Sequence, residues 1–383
     1  MEFVIQKSDL VRELQTVTGV VEKRATIPIL ANLLLEVEKD GLQVGASDME
    51  VTIRGTAPAT VVKKGSVTLP ASKLHEIARS LPEAEVRFKL LDRNVVSISC
   101  ERTRYKISGQ PEGEFPGFPE IDEAAGIKIP GKKLNRMIER VAFAITREDP
   151  RYSLNGALFL LEDGKLTLVA TDGHRLAFIS SELDVAVGKQ GSQSVIVPRK
   201  ALAEVSKLTA ELDDDETVLF GKSDNQVFFI VRGHRLTSSL LEGNFPRYEN
   251  VMPGECDTSV LVPTEELNQA VRRVSLLASD RYGRVVRVAL SDGKLDLSSK
   301  TEMGEAQETL NVDYSGPELS IGFNARYLQD FLSVVGSPAV KLELNPGKAG
   351  DDKKLDAGDK PGQFRPEPDE SIDYRYIVMP MHL

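Results

Sequence analysis

Residues 132–145 read KKLNRMIERVAFAI, and the same pattern returns at 8–21 (SDLVRELQTVTGVV) and at 265–278 (EELNQAVRRVSLLA). Each stretch has apolar residues at offsets 0, 4, 7 and 11: Leu134, Ile138, Val141, Ile145; Leu10, Leu14, Val17, Val21; Leu267, Val271, Val274, Ala278. That spacing belongs to a helix with one buried stripe. A second set repeats as well: LPASKLHEIARSL at 69–81, VPRKALAEVSKL at 197–208 and FNARYLQDFLSVV at 323–335. The anchors Leu74, Leu202 and Leu328 keep the period of the first set. Three copies of a two-helix unit therefore follow one another along the chain.

At 383 residues the chain is too long for one core. Three copies of about 128 residues each come close to the commonest domain size. Apolar content of 41 % and charged content of 28 % are ordinary for a globular protein. No apolar run approaches the ~18 residues of a membrane span, so no membrane partner is expected. The opening MEFVIQKSDL has an early acid and no apolar h-region. It reads as a strand leading into a helix rather than as a signal peptide. Cys100 and Cys256 are the two cysteines. Their scarcity suggests a reducing, cytoplasmic setting. The four histidines do not join them at metal-ligand spacing, so neither metal nor cofactor is expected.

The net charge of −10 argues against a nucleic-acid partner until its distribution is considered. The expected helices, 7–24, 71–81, 131–148, 199–208, 264–279 and 325–335, hold 17 Lys and Arg against 10 Asp and Glu. The excess of acid lies in the rest of the chain. In 131–148, Leu134, Ile138, Val141 and Ile145 fall within about 40° of one line. Lys133, Arg136, Arg140 and Arg147 cluster opposite. A packed face backed by a cationic one suits contact with phosphates. With no Trp and 6 % aromatic residues, stacking on single strands is disfavoured, and sequence-independent duplex contact is expected.

Between the helices lie short runs rich in Val, Ile, Leu and Phe, such as 33–38, 94–99, 157–161, 226–232 and 286–290. Lys39-Asp40-Gly41, Asp163-Gly164 and Asp292-Gly293 are hairpin turns between such runs. The fold class is therefore α+β: three tandem copies of a two-helix plus antiparallel-sheet domain. Pro- and Gly-rich joints at 111–122 and 242–255, each with Phe-Pro (115–116 and 245–246), separate domains 1–122, 126–251 and 254–383. The stretch 345–370, rich in Gly, Pro, Lys, Asp and Glu, is expected to be a mobile loop interrupting the last hairpin.

Catalytic signatures are thin. Gly221-Lys222-Ser223 imitates the end of a P-loop, but Glu216 stands where its first glycine belongs. Thr171-Asp172-Gly173-His174-Arg175 pairs an Asp with a His, yet no nucleophile or metal accompanies them. It reads as a turn between strands 165–170 and 176–180. A monomeric hydrolase built on Asp172 and His174 is the rival to a DNA-binding protein. Geometry favours the latter. Twelve helices from two chains, at ~10 Å spacing around a circle, leave a hole of ~27 Å, wide enough for a duplex, whereas six leave almost none.

The chain resembles the bacterial sliding clamps, the beta subunits of DNA polymerase III, along essentially its whole length. The marks are PILANLLLEV at 28–37, RYSLNGALF at 151–159, VATDGHRLA at 169–177, SVIVPRK at 194–200, NFPRYENVMP at 244–253, YSGPELSIGFN at 314–324 and the terminal YIVMPMHL. The resemblance implies a head-to-tail homodimeric ring, half of it from each chain, that tethers a polymerase to duplex DNA and catalyses nothing. It implies DNA-facing residues at Arg24, Lys73, Arg147, Arg151, Tyr152, Arg199 and Lys200. It implies a partner-peptide pocket at Leu154, Thr171, Gly173, His174, Arg175, Leu176, Pro246, Val251, Val378, Met379, Pro380 and Met381. The dimer contact it implies joins domain one to domain three of the other subunit. Leu276 and Leu277 lie at its centre, and Glu302, Glu305 and Glu308 face Arg102 and Arg104. Implied partners are the polymerase catalytic subunit, an ATP-driven clamp loader and other peptide-bearing repair and replication proteins, in the cytoplasm at the nucleoid. Glu148, Asn250 and His382 depart from common family choices.

Overall fold

The computed structural model describes residues 1–22, 26–183, 193–254, 256–278, 284–345, 355–356, 360–367 and 372–381. Six α-helices occur among them: α1 (Lys7–Val17), α2 (Ala71–Ser80), α3 (Gly131–Ala142), α4 (Arg199–Thr209), α5 (Thr264–Val274) and α6 (Ala325–Leu332). Each is amphipathic, and its apolar stripe is buried: Leu10, Leu14 and Val17 on α1, Leu134, Ile138 and Val141 on α3, Leu267, Val271 and Val274 on α5. The helices are shorter than the sequence pattern suggests. The residue at offset 11 lies beyond the helix end in all three copies. There the backbone tightens into i→i−3 bonds, with Val21, Ile145 and Ala278 N–H donating to the carbonyls of Thr18, Ala142 and Ser275. The apolar period survives this tightening, so the sequence alone overruns each helix.

Within these shorter limits the six helices hold 14 Lys and Arg against eight Asp and Glu. The whole excess sits on α2, α3 and α4, while α1, α5 and α6 are balanced. One expected surface cation is interior. Arg140 is 8 % exposed, donates to the Val335 carbonyl at 2.7 Å and lies 5.2 Å over the Tyr374 ring. Tyr374 returns a hydrogen bond to the Arg140 carbonyl at 2.8 Å.

The chain packs as two compact units, one of Met1–Asn135 with Lys200–Leu240 and the other of Arg136–Arg199 with Leu241–Leu383. The middle third of the sequence is thus divided between them. In the first unit an eight-stranded sheet runs Ile127–Pro130, Thr217–Ser223, Gln226–Val231, His234–Ser239, Val51–Ala57, Gly41–Ser47, Asn32–Glu38, Gly65–Pro70. In the second the order is Gln193–Pro198, Gly156–Glu162, Lys165–Thr171, Arg175–Glu182, Ile372–Val378, Gly362–Pro366, Ala339–Leu344, Thr258–Pro263. Both sheets are antiparallel and both cross a repeat boundary. Arg235 pairs with Arg54 in one, and Arg175 with Val378 in the other. Their four outer strands all end on a proline, at Pro130, Pro70, Pro198 and Pro263, immediately before a helix begins. Proline has no N–H for a further rung, so it suits an edge and a strand end.

Each unit adds a five-stranded sheet. The first unit's order is Thr60–Lys63, Glu2–Gln6, Glu85–Leu90, Val95–Cys100, Thr103–Ser108. The second's is Gly304–Asn311, Lys294–Thr301, Val285–Ser291, Leu319–Asn324, Leu355–Asp356. No described strand pairs with the outer edge of Thr103–Ser108 or of Gly304–Asn311. The expected hairpins form. At Asp163-Gly164 both residues have positive φ, 48° and 78°, as a type I′ turn requires.

The stretch 345–370 is not loop throughout, contrary to expectation: Gly362–Pro366 is an interior strand of the second unit's sheet. It pairs with Ala339–Leu344 on one side and Ile372–Val378 on the other. Phe364 is 2 % exposed and packs edge-on against Phe323 at 5.6 Å, so one aromatic anchors a segment whose composition looks coreless. Residues 346–354, 357–359 and 368–370 lie outside the described residues. Gly221-Lys222-Ser223 lies inside strand Thr217–Ser223, where no phosphate-cradling loop exists.

Candidate functional site

The second unit holds an apolar cleft of about 170 Å³ at one end of its eight-stranded sheet. One wall is the turn joining Lys165–Thr171 to Arg175–Glu182. Asp172 sets this turn: its Oδ1 accepts the N–H groups of His174 and Arg175 at 2.9 and 3.1 Å. Thr171 Oγ1 accepts the Gly173 N–H at 3.1 Å and donates to the Arg175 carbonyl at 2.6 Å. Gly173 has φ 89°, which its lack of a Cβ permits. The Asp172 carboxylate is fully engaged by the turn and by Arg175. That gives the Asp172–His174 pair a structural role instead of an acid–base one.

Arg175 is a buried cation with several partners. Its guanidinium meets Asp172 Oδ2 at 2.9 Å, Asp330 Oδ2 at 2.7 Å and the Phe143 carbonyl at 2.7 Å, and it lies 4.3 Å over the Tyr327 ring. Burial acts to lower its pKa, but Tyr376, Asp330 and Asp172 outweigh burial and raise it. The guanidinium ties the turn to α6. The floor of the cleft comes from Leu154, Leu176 and Ile377, all nearly inaccessible. Pro246, Arg247, Tyr248 and Val251 form the other wall, and Met379 closes the rim. The Met379 N–H donates to the His174 carbonyl at 2.9 Å, stitching the tail to the turn.

Eight of the twelve expected pocket residues line this cleft: Leu154, Thr171, Gly173, Arg175, Leu176, Pro246, Val251 and Met379. Val378 is buried in the ladder opposite Arg175. Met381 bonds to the Gly322 carbonyl at 2.9 Å; neither it, Pro380 nor the His174 side chain lines the cleft. Arg247, Tyr248 and Ile377 line it without having been expected, although the first two stand inside NFPRYENVMP. Arg151, expected to face DNA, also lines it.

The other expected DNA contacts are distributed as follows. Arg24 lies outside the described residues. Lys73 is exposed on α2 with Glu76 at 2.6 Å. Lys200 on α4 is paired with the buried Asp48 carboxylate and has Glu22 at 3.7 Å, so two anions already hold it. In the second unit, Arg147 is exposed, and burial together with Arg147's charge lowers the pKa of Arg199. Arg151 clamps Asp149 through two 2.9 Å bonds, holding that carboxyl down at about 2. Tyr152 is 73 % exposed. Asn155 pins the segment carrying Arg147, Arg151 and Tyr152. Its side chain accepts from Thr146 and the Asp149 N–H and donates to the Asp149 carbonyl. Its place in RYSLNGALF was the available signal.

Of the expected interface residues, Arg104 lies on the outer strand Thr103–Ser108, with Arg102 in the turn before it. Leu276 is 81 % exposed, and Leu277 packs beside Gly304. Glu302 and Glu305 are exposed at the start of the outer strand Gly304–Asn311. Glu308 already has a partner, Arg273, whose Nε lies 2.8 Å away. Met303, in the turn before Gly304–Asn311, is 90 % exposed. Among the described residues no cluster of three or more His, Cys, Asp or Glu could hold a metal, and no helix is long and apolar enough to cross a membrane.

Comparison with known proteins gives one consistent result. The chain matches the DNA polymerase III beta subunit N-terminal domain over residues 1–119, its central domain over 128–247 and its C-terminal domain over 249–350. The beta sliding clamp of Pseudomonas aeruginosa is 35 % identical over 385 residues, covering all of both chains. That of Escherichia coli K12 is 33 % identical, also over both full lengths. A crystal structure of the P. aeruginosa clamp bound to griselimycin superposes with a TM-score of 0.90 at 34 % identity, covering all of both chains.

Proposed function

The chain belongs to the bacterial DNA polymerase III beta-subunit family, the sliding clamps that act as processivity factors in DNA replication, and from that premise we propose that two copies close into a ring around duplex DNA. Each copy supplies half of the ring as domains 1–122, 126–251 and 254–383, with two helices apiece. The observation that carries this reading is a strand-pairing rule. Val51–Ala57 in the first copy of the repeat takes His234–Ser239, the last strand of the second copy. Arg175–Glu182 in the second takes Ile372–Val378, the last strand of the third. The same rule gives Gly304–Asn311 in the third copy the last strand of a first copy, Thr103–Ser108; the two do not pair within the described chain, and we assign the partner strand to a second chain. A head-to-tail contact of this kind closes when its rotation closes. Charge supports the pairing, because Arg102, Arg104 and Lys106 would meet Glu302 and Glu305, with Leu276, Leu277 and Met303 as its apolar part.

The surplus of cations on α2, α3 and α4 supports a lining that meets phosphates without reading bases. Lys73, Arg147, Arg199 and the exposed Tyr152 are its principal contacts; Arg24, outside the described residues, is assigned to the same role from the resemblance alone. Lys200 and Arg151 enter it only by exchanging a carboxylate for a phosphate. The apolar cleft of the second unit seats short peptides of the polymerase catalytic subunit, of the clamp loader and of repair and replication proteins. The protein tethers and catalyses nothing. It acts in the cytoplasm, at the nucleoid.

Loading onto circular DNA tests the ring. The protein should stay on a closed circle through gel filtration and leave when the circle is cut once; equal retention on both forms would end the ring proposal. Without DNA it should elute near twice 42.1 kDa.

A further inference from the structure

A charge preference at the cleft presupposes that the cleft seats a peptide, as proposed for it. Three arginines line it. Arg175 is held by Asp172 and Asp330. Arg151 is held by Asp149. Arg247 is exposed and has no anionic partner among the described residues. Its neighbour Glu249 interacts with the Tyr248 hydroxyl, whose pKa is raised to about 12 by burial and then by Glu249. The corresponding position in the first unit's FPGF is Gly117, so the cation is not needed to build this joint. An apolar cleft with one uncompensated cation on its wall selects for charge as well as shape.

We propose that Arg247 is a specificity-determining residue that binds a carboxylate of the partner peptide next to the apolar side chain seated over Leu154, Leu176 and Ile377. A guanidinium offers a planar fork matched to a carboxylate, and the adjoining apolar walls exclude some of the water that weakens exposed ion pairs. The carboxylate belongs either to an Asp or Glu side chain or to a chain terminus. Both present the same two oxygens to the fork.

Random dodecapeptides displayed on phage and selected on the intact protein test this. Cleft-dependent peptides are those lost on Val251→Trp, which fills the exposed rim. They should carry Asp or Glu at one fixed place beside an apolar residue. A synthetic version with Asn at that place should bind about fivefold more weakly to the wild type and equally to Arg247→Gln. A third version, with Asn there and a free C-terminal carboxylate in place of the amide, separates the two sources by whether it recovers the loss. Arg247→Glu should turn the preference toward Lys. Arg247 is exposed, so an unchanged thermal midpoint in both variants should show that folding is intact. An acid preference that persists in Arg247→Gln, or no fixed acid at all, overturns the assignment of Arg247 alone. Failure to recover any cleft-dependent peptide overturns the peptide-seat reading itself.

Discussion

The two units share a plan, yet the second has an apolar cleft where the first has a filled core. In the first unit the ring of Phe118 lies on Gly45, where a Cβ would stand 2.1 Å from the Phe118 Cζ. Arg54 covers the same ring at 4.9 Å. In the second unit the position of Gly45 is taken by Val169, and that of Phe118 by Tyr248. The valine fills the space, and Tyr248 packs instead beside Phe178 at 5.9 Å. The turns above also match. Ser47 and Asp48 accept the N–H groups of Met49, Glu50 and Val51 much as Thr171 and Asp172 accept those of Gly173, His174 and Arg175. The last residue differs: a buried Val51 in one, a buried Arg175 in the other. A cleft can therefore arise from a duplicated core by adding a methyl-bearing side chain beneath the floor, where Val169 packs with Leu176 and Ile377, without removing anything from the wall.

This contrast can be broken at three depths. The largest effect is expected at Arg175. Arg175→Met leaves Asp172 and Asp330 without their cation and should destabilise the protein by about 3–5 kcal/mol, whereas Val51→Ala should cost about 2 kcal/mol. Urea unfolding of the two variants checks the order, and the reverse order would mean that the buried ion pairs do not hold the cleft wall. Exchanging the matched core residues Gly45 and Val169 comes next. Gly45→Val should cost about 1–3 kcal/mol by overpacking, and Phe118→Ala in the same chain should recover part of that loss. Val169→Gly should let Tyr248 settle onto the floor and abolish binding of cleft-selected peptides. A crystal structure with Tyr248 unmoved would show that the valine does not keep the cleft open.

The smallest effect concerns pH and the first unit alone. His234 Nε2 lies 3.0 Å from Glu13 Oε2, joining α1 to the strand that spans the repeat boundary, and Gly55 has no Cβ to block them. Burial pulls the His234 pKa down, but the hydrogen bond and charge of Glu13 outweigh it, so the net direction is upward from 6.5. A raised folded pKa means that the stabilisation is complete below the unfolded value and fades as pH climbs through the folded one. The difference in thermal midpoint between wild type and His234→Gln should therefore be greatest below pH 6.5 and shrink above it. A difference that grows with pH would reverse the assignment.

Much of this was legible in the sequence where the cause is local. The hairpin at Asp163-Gly164 needs only two residues able to take positive φ, and four of the six helix starts need only a strand, a proline and an apolar period. Eight cleft residues followed from motif resemblance. The failures share a different cause, contact between distant segments. Arg140 sits on the cationic side of a helical wheel, but its partners, Val335 and Tyr374, arrive from the far end of the chain. Lys200 looks available until Asp48, 152 positions away, is found beside it. The strand at 362–366 is hidden by its Gly- and Pro-rich flanks, and only the burial of Phe364 reveals it. Nor could any local pattern show that the middle repeat is divided between two sheets.

The prolines that end four outer strands have a consequence for behaviour in bulk. A sheet edge is a template on which another molecule can grow, and long flat edges seed aggregation. At Pro70, Pro130, Pro198 and Pro263 an intruding strand finds a missing donor, and just beyond it the chain turns into a helix. Thr103–Ser108 and Gly304–Asn311, outer strands of the five-stranded sheets, have no proline and carry charges of opposite sign. Opposite charge favours pairing of these two edges with each other over pairing of either with its own copy. Edges blunted by proline offer fewer starting points for fibres.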